Sequence, residues 1–296
     1  MNTARFEADM DMLDDTPLPE TATRIIHTLA CKVALCSRTP PGEREVVATI
    51  RRQKPDVVFA PHVETASGMI LPESYLRALA DAVHSIGGLF VLDCIASGAT
   101  WVDMIASGVD ALISAPQKGW TGSPCAAFVM LGEQARTLID STTSSSFACD
   151  LRKWMQIMEA YENGGYAYHA TLPTDALARC RDAMNETERH GFDPLRIAQQ
   201  ALGDRVRASL ATAGFPSVAA EGFHAPAVVA SYTDDPEIQS GRKFLAEGLQ
   251  IAAGVPLQCD EPADFSSFRI GLFGLDKLDN VDRTARLLEE ALRRMR

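Results

Sequence analysis

Positive charge is what this chain most conspicuously lacks. Against 39 Asp and Glu it carries 28 Lys and Arg, a formal net charge of −11. Nucleic acid and anionic membrane surfaces both demand a basic face, so neither is expected as a partner. Long apolar runs are missing too, and none approaches the roughly 20 residues of a membrane-spanning helix. The opening MNTARFEADMDMLDD is acidic where a secretory or organellar leader would be basic, which predicts a cytoplasmic protein. The seven cysteines, Cys31, Cys36, Cys94, Cys125, Cys149, Cys180 and Cys259, form no C-x-x-C and stand near no paired histidines. That spacing argues against a metal site and against a secreted disulfide framework, leaving reduced, mostly buried thiols, with Cys94 the one candidate for a reactive group. No G-x-G-x-x-G follows an apolar run, which makes a dinucleotide-binding oxidoreductase a weak reading.

What remains is the composition of an ordinary globular enzyme, 46% apolar and 23% charged over 296 residues, long enough for two subdomains. The informative stretch is Leu89 to Lys118. Leu89-Phe90-Val91-Leu92 is an unbroken apolar run, as expected of a strand buried on both faces of a parallel sheet, and it ends in Asp93. A second run, Val109 to Ile113, ends in Ser114 and leads to Lys118. Ligands of open α/β sheets collect at the carboxyl ends of strands, so an acid and an amine are placed beside one crevice. Taken singly, Asp93 is a strand-end acid and Lys118 a surface lysine. Together they suit pyridoxal phosphate, which needs an amine to bind its aldehyde and a carboxylate to keep its ring nitrogen protonated.

Gly108-Val109-Asp110, Ser114 and Gln117-Lys118 resemble the segment before the Schiff-base lysine of the class V aminotransferases, enzymes of pyridoxal-phosphate fold type I, in particular their serine/alanine–glyoxylate branch. The resemblance implies an α/β fold with a mostly parallel sheet flanked by helices and a smaller C-terminal α/β domain. It makes Lys118 and Asp93 the catalytic pair, with Ile95 and Gln117 as further cofactor contacts. Pro61-His62-Val63-Glu64-Thr65-Ala66-Ser67-Gly68 is similar to the family's H-x-E-[ST]-x-[ST]-G loop, which puts Thr65 beside the cofactor. On local sequence alone the same stretch is an ordinary turn held by hydroxyl side chains. Tyr168-His169-Ala170-Thr171-Leu172-Pro173 resembles the Y-H-x-T-x-P motif, whose tyrosine and threonine reach the neighbouring subunit's cofactor phosphate, and so implies a homodimer. Without the resemblance it is an aromatic loop before a helix, with Thr171 or Thr174 as its cap. Phe268-Arg269-Ile270-Gly271-Leu272-Phe273-Gly274 resembles R-I-G-x-x-G, whose arginine grips the substrate carboxylate with two parallel hydrogen bonds.

Residues 1–42 form an atypical segment, acid-rich at first and then weakly apolar from Arg24 to Cys36. The family's Gly-rich phosphate loop and ring-stacking side chain are not found there. Residues 43–190 are expected to be the cofactor-binding large domain, N-terminally incomplete, and 191–296 the small domain. Helices are expected over Glu43–Gln53, Glu73–Ser85, Leu151–Tyr161, Thr174–Glu188, Pro194–Leu210, Glu237–Leu249 and Val281–Met295. Strands are expected at Val57–Ala60, Ala126–Leu131, Pro226–Tyr232 and Phe268–Gly274. Two functions compete: a transaminase passing an amino group between alanine or serine and a 2-oxo acid such as glyoxylate, and a catalytically impaired homologue that serves as a dimerisation partner.

Overall fold

The computed structural model describes residues 39–257 and 261–295. The acid-rich opening and the Arg24–Cys36 segment lie outside these residues. Three parallel strands carry the design. Strand β1 (Val57–Pro61) pairs with β4 (Leu89–Asp93), and β4 with β5 (Ala111–Ser114), while β6 (Phe128–Leu131) closes the sheet antiparallel to β5. The central strand is covered on both faces, with Phe90 and Leu92 fully buried on one and Val91 buried on the other, which explains its unbroken apolar run. Between β1 and β4 lie a hairpin, β2 (Val63–Glu64) with β3 (Met69–Ile70), and a helix. Helix α1 (Glu43–Gln53) and that helix, α2 (Glu73–His84), lay Val46, Ile50, Leu76, Leu79 and Val83 over one face of the sheet. A short helix, α3 (Met104–Ser107), is capped by the Asp103 carboxylate on Ala106 N (2.9 Å) and stopped by Gly108 at φ +76°.

Helices α4 (Glu133–Asp140), α5 (Leu151–Glu162) and α6 (Thr174–His190) follow β6. Neither Thr171 nor Thr174 caps α6: Pro173 holds the N-cap position and offers no side-chain bond, so the cap expectation fails. Gly191, at φ +88°, turns the chain into α7 (Phe192–Thr212). A second sheet follows in the order β7 (Val228–Tyr232), β9 (Ser267–Gly271), β8 (Ala252–Ala253), all antiparallel. Helix α7 and α11 (Val281–Arg294) pack on it around Leu202, Leu210, Phe244 and Phe268.

The single helix expected over Glu237–Leu249 is two short ones, α8 (Pro236–Gln239) and α9 (Arg242–Ala246). Gly241 breaks it at φ +79°, where a Cβ would come within 3.1 Å of Ile251. The strand through Phe268 ends at Gly271 rather than Gly274, because Gly274 (φ +110°) turns the chain into α10 (Leu275–Leu278). Among the described residues no helix is long and apolar enough to cross a membrane.

Candidate active site

The parallel register brings Pro61, Asp93 and Ile113 level, so the loops leaving β1, β4 and β5 open on one edge of the sheet. Asp93 stands at the middle tip. Its Oδ1 accepts a hydrogen bond from Ile95 N (2.8 Å), and no partner holds Oδ2 among the described residues. The carboxylate is reached by solvent yet crowded by protein, and this crowding raises its pKa while the Ile95 bond pulls it partly back. The Asp93 carbonyl accepts from His62 N (2.8 Å), and Cys94 N donates to Ile113 O (2.8 Å), which stitches the three tips together.

Beneath that edge His62 is buried, with Nδ1 2.8 Å from Ser97 Oγ. Burial drops its pKa to about 4, so the ring stays neutral and acts as a satisfied turn histidine. Burial also lifts the Cys94 thiol to about 12, which leaves it inert and answers the question of its reactivity. Asp110, in the stretch before the lysine, is buried, accepting from Phe90 N (2.7 Å) and hydrogen-bonded to His84 Nε2 (2.9 Å). It braces β4 against α2.

Lys118 lies in the loop after β5, half-buried, and its neighbour Gln117 is exposed. The loop is tightly held. Trp120 donates its indole N–H to Ser114 Oγ (3.2 Å) and packs on Trp101, ring centroids 5.0 Å apart. A Cβ on Gly119 would lie 2.4 Å from Gly98 O, so the lysine loop presses on the turn that follows Asp93. Thr121 Oγ1 accepts from Leu275 N (3.1 Å), tying the loop to the segment beyond β9. The Lys118 ammonium sits 5.2 Å from the Phe273 ring centroid and has no carboxylate partner among the described residues.

Thr65 is half-buried in the β2–β3 hairpin. Beside it Glu64 accepts from Ala66 N, Ser67 N and Ser67 Oγ, each at 2.8 Å. Arg269 on β9 faces the same hairpin: burial lowers its pKa, and the nearby Glu64 carboxylate pulls it back up. Its Nε donates to Ala253 O (2.9 Å). The alternation expected along the strand holds, since Phe268 and Ile270 are buried on the opposite face.

Tyr168 and Thr171 stand apart from this edge. They hydrogen-bond each other (3.2 Å) in an exposed loop, with Tyr168 75% exposed. The loop is anchored elsewhere, through His169 Nε2 on Phe147 O (3.0 Å) and its ring against Phe147 and Trp154. Sequence reasoning gave no role to Glu64 or Phe273, although both sit inside motifs already singled out.

No protein-family profile matches the chain. Solved structures do. Alanine–glyoxylate aminotransferase from Nostoc sp. superposes with a TM-score of 0.71 at 21% identity, covering 84% of this chain and 65% of that one. Pyridoxamine–pyruvate aminotransferase from Mesorhizobium loti gives 0.70 at 16%, covering 86% and 63%. The chain has the fold of the class V aminotransferases. By sequence, relatives of the chain include 2-aminoethylphosphonate–pyruvate transaminases from Burkholderia ambifaria, 28% identical over 233 residues (78% of this chain, 60% of the relative), and Salmonella typhimurium, 29% over 219 residues (72% and 56%). The chain thus spans about 60% of the length of the curated relatives it matches. Those relatives are named for an aminophosphonate donor and pyruvate, where the sequence motifs implied alanine or serine and glyoxylate.

Proposed function

We propose that the chain is built for pyridoxal-phosphate-dependent transamination between a small amino donor and a small 2-oxo acid. One observation carries this reading above the others: Asp93, fixed through Oδ1 and open at Oδ2, stands at the strand tip whose following turn packs directly on the Lys118 loop. The side chains fit the cofactor in kind, an amine without a counter-ion among the described residues and a partly enclosed carboxylate with raised proton affinity. When bound, pyridoxal phosphate supplies a protonated ring that draws electrons from the substrate Cα. Asp93 Oδ2 would hold a proton on the ring nitrogen. Lys118 Nζ would hold the cofactor through its aldehyde and would serve as the base and acid that moves the substrate's Cα proton. Thr65, Ile95 and Gln117 border the same edge as cofactor contacts. Arg269, with Nε tied to Ala253 O, keeps its terminal nitrogens for a substrate carboxylate.

The acceptor in this reading is glyoxylate or pyruvate. The donor is alanine or serine, as the motifs imply, or an aminophosphonate, as the relatives are named. Large and small domains divide at Gly191, where the backbone turns between α6 and α7. The exposed Tyr168 and Thr171 suit a homodimer in which they reach the partner's cofactor phosphate, and free thiols such as Cys94, Cys149 and Cys180 suit the cytoplasm. The test is a visible spectrum with added pyridoxal phosphate. Wild-type protein should gain an absorption band above that of free cofactor, and Lys118→Ala should not. No band in either protein rejects the reading and favours the dimerisation partner without turnover.

A further inference from the structure

Gln199 is a fully buried amide on α7, 1% exposed, and every part of it is used. Its Nε2 donates to Pro226 O (3.1 Å) and Leu272 O (3.3 Å), and its Oε1 accepts from Ala99 N (3.5 Å). Ala99 lies in the turn after Asp93. Leu272 follows β9, the strand of Arg269, and Pro226 leads into β7. One side chain therefore joins the acid-bearing turn of one sheet to the arginine-bearing strand of the other.

The surroundings leave no slack. A Cβ on Gly203, four residues along α7, would lie 2.6 Å from Pro226 O. One on Gly98 would lie 2.5 Å from Ala227 Cβ and 2.8 Å from Gln199 Oε1. Because Gly98 O also faces Gly119, the same turn touches the Lys118 loop. An apolar side chain at this depth would avoid the cost of desolvating an amide, so the amide's directional bonds are what distinguish it from a leucine here. Ser97, held by His62, secures the other end of the turn.

We propose that Gln199 is a positioning residue: it locks the turn following Asp93 to the segment following Arg269, so that ring-binding acid, lysine loop and substrate-gripping arginine keep one spacing. This rests on the transaminase reading of those three groups. In folded Gln199→Met, hydrogen exchange should quicken about tenfold over 97–101 and 268–273 together while α11 is unchanged. The KM for pyruvate should rise roughly tenfold with kcat altered far less, since the arginine rather than the lysine is displaced. A merely structural glutamine would instead lower the unfolding midpoint, quicken exchange evenly and leave KM alone; that result, or wild-type exchange in both segments, overturns the lock. If wild-type protein shows no turnover, the transaminase reading has failed, and the exchange comparison still decides the lock. Gln199→Glu keeps the acceptor for Ala99 N–H but, protonated at this depth, can donate at most one of the two bonds to Pro226 O and Leu272 O, so 268–273 should loosen more than 97–101; equal loosening at 97–101 counts against the proposal. Should neither variant fold, saturating pyruvate added to the cofactor-loaded chain must slow exchange at 97–101 as well as at 268–273, and protection confined to 268–273 overturns it.

Discussion

The two sides of the four-stranded sheet are covered to very different degrees. From Glu43 to Ser114 helices and strands seal one another, and Ala80, Val83, Phe90 and Leu92 retain no accessible surface. From Phe128 to His190 only Ala135, Ile157, Cys180 and Thr187 are buried among the described residues. Meanwhile Phe147, Met158, Tyr161, Tyr166 and Tyr168 each expose more than half their surface. Helical periodicity is equally clear on both sides, so periodicity tells which residues share a face and not whether the chain itself covers that face. The lysine and aspartate loops grow from the sealed side, where their tips are held by packing. The open side is the one that the proposed homodimer would cover.

The sharpest way to test this contrast is to cut into the sealed side. Phe90→Ala should cost about 3–5 kcal/mol of unfolding free energy, read from denaturant midpoints, because the ring is wholly enclosed. A cost under about 1 kcal/mol would mean that this core is looser than it looks. Asp93→Asn probes chemistry at the rim of the same side. Turnover should fall roughly 100-fold, about 3 kcal/mol in the barrier, since an amide cannot hold a proton on the ring nitrogen. Stability at neutral pH should not suffer. A carboxyl whose folded pKa is raised stabilises the fold in its protonated form, and that contribution is already lost once pH has risen through the folded value.

His62 separates the sides by pH. Its folded pKa of about 4 lies below the ordinary 6.5, so the neutral ring contributes stability that is complete above pH 6.5 and lost as pH falls toward 4. Between pH 7 and pH 4.5 the loss should be about 2 kcal/mol, and His62→Gln, which can still bond Ser97, should flatten that part of the profile. Urea midpoints at the two pH values supply the measurement. An unchanged slope in the variant would show that His62 is not what titrates.

Much of the sealed side was legible in sequence because its signals are local. Uninterrupted apolar runs ending in Asp93 and Ser114 mark doubly covered strands, and the acid and lysine follow them directly. The break at Gly241 was not legible, since the demand for a left-handed residue comes from Ile251 packing against the turn. Glu64, Phe273 and Gln199 were missed for the same reason. Gln199 bonds residues 100 positions before it and 73 after it, distances at which no periodic pattern speaks. On the open side the motif around Tyr168 was visible, yet among the described residues its tyrosine and threonine hydrogen-bond to each other rather than to the site.

That isolation leads to the smallest and most discriminating effect. Tyr168→Ala removes a side chain that is 75% exposed, so the unfolding free energy of the chain should move by less than about 0.5 kcal/mol. Its effect should appear in association instead. An aromatic side chain buried between subunits is worth about 1 kcal/mol or more, which would weaken a dimer some fivefold by sedimentation. Phe90→Ala should do the reverse, lowering stability without acting through the contact surface. If Tyr168→Ala destabilises the fold and leaves the oligomer intact, the exposed aromatics serve the chain's own packing and the contrast between the two sides disappears.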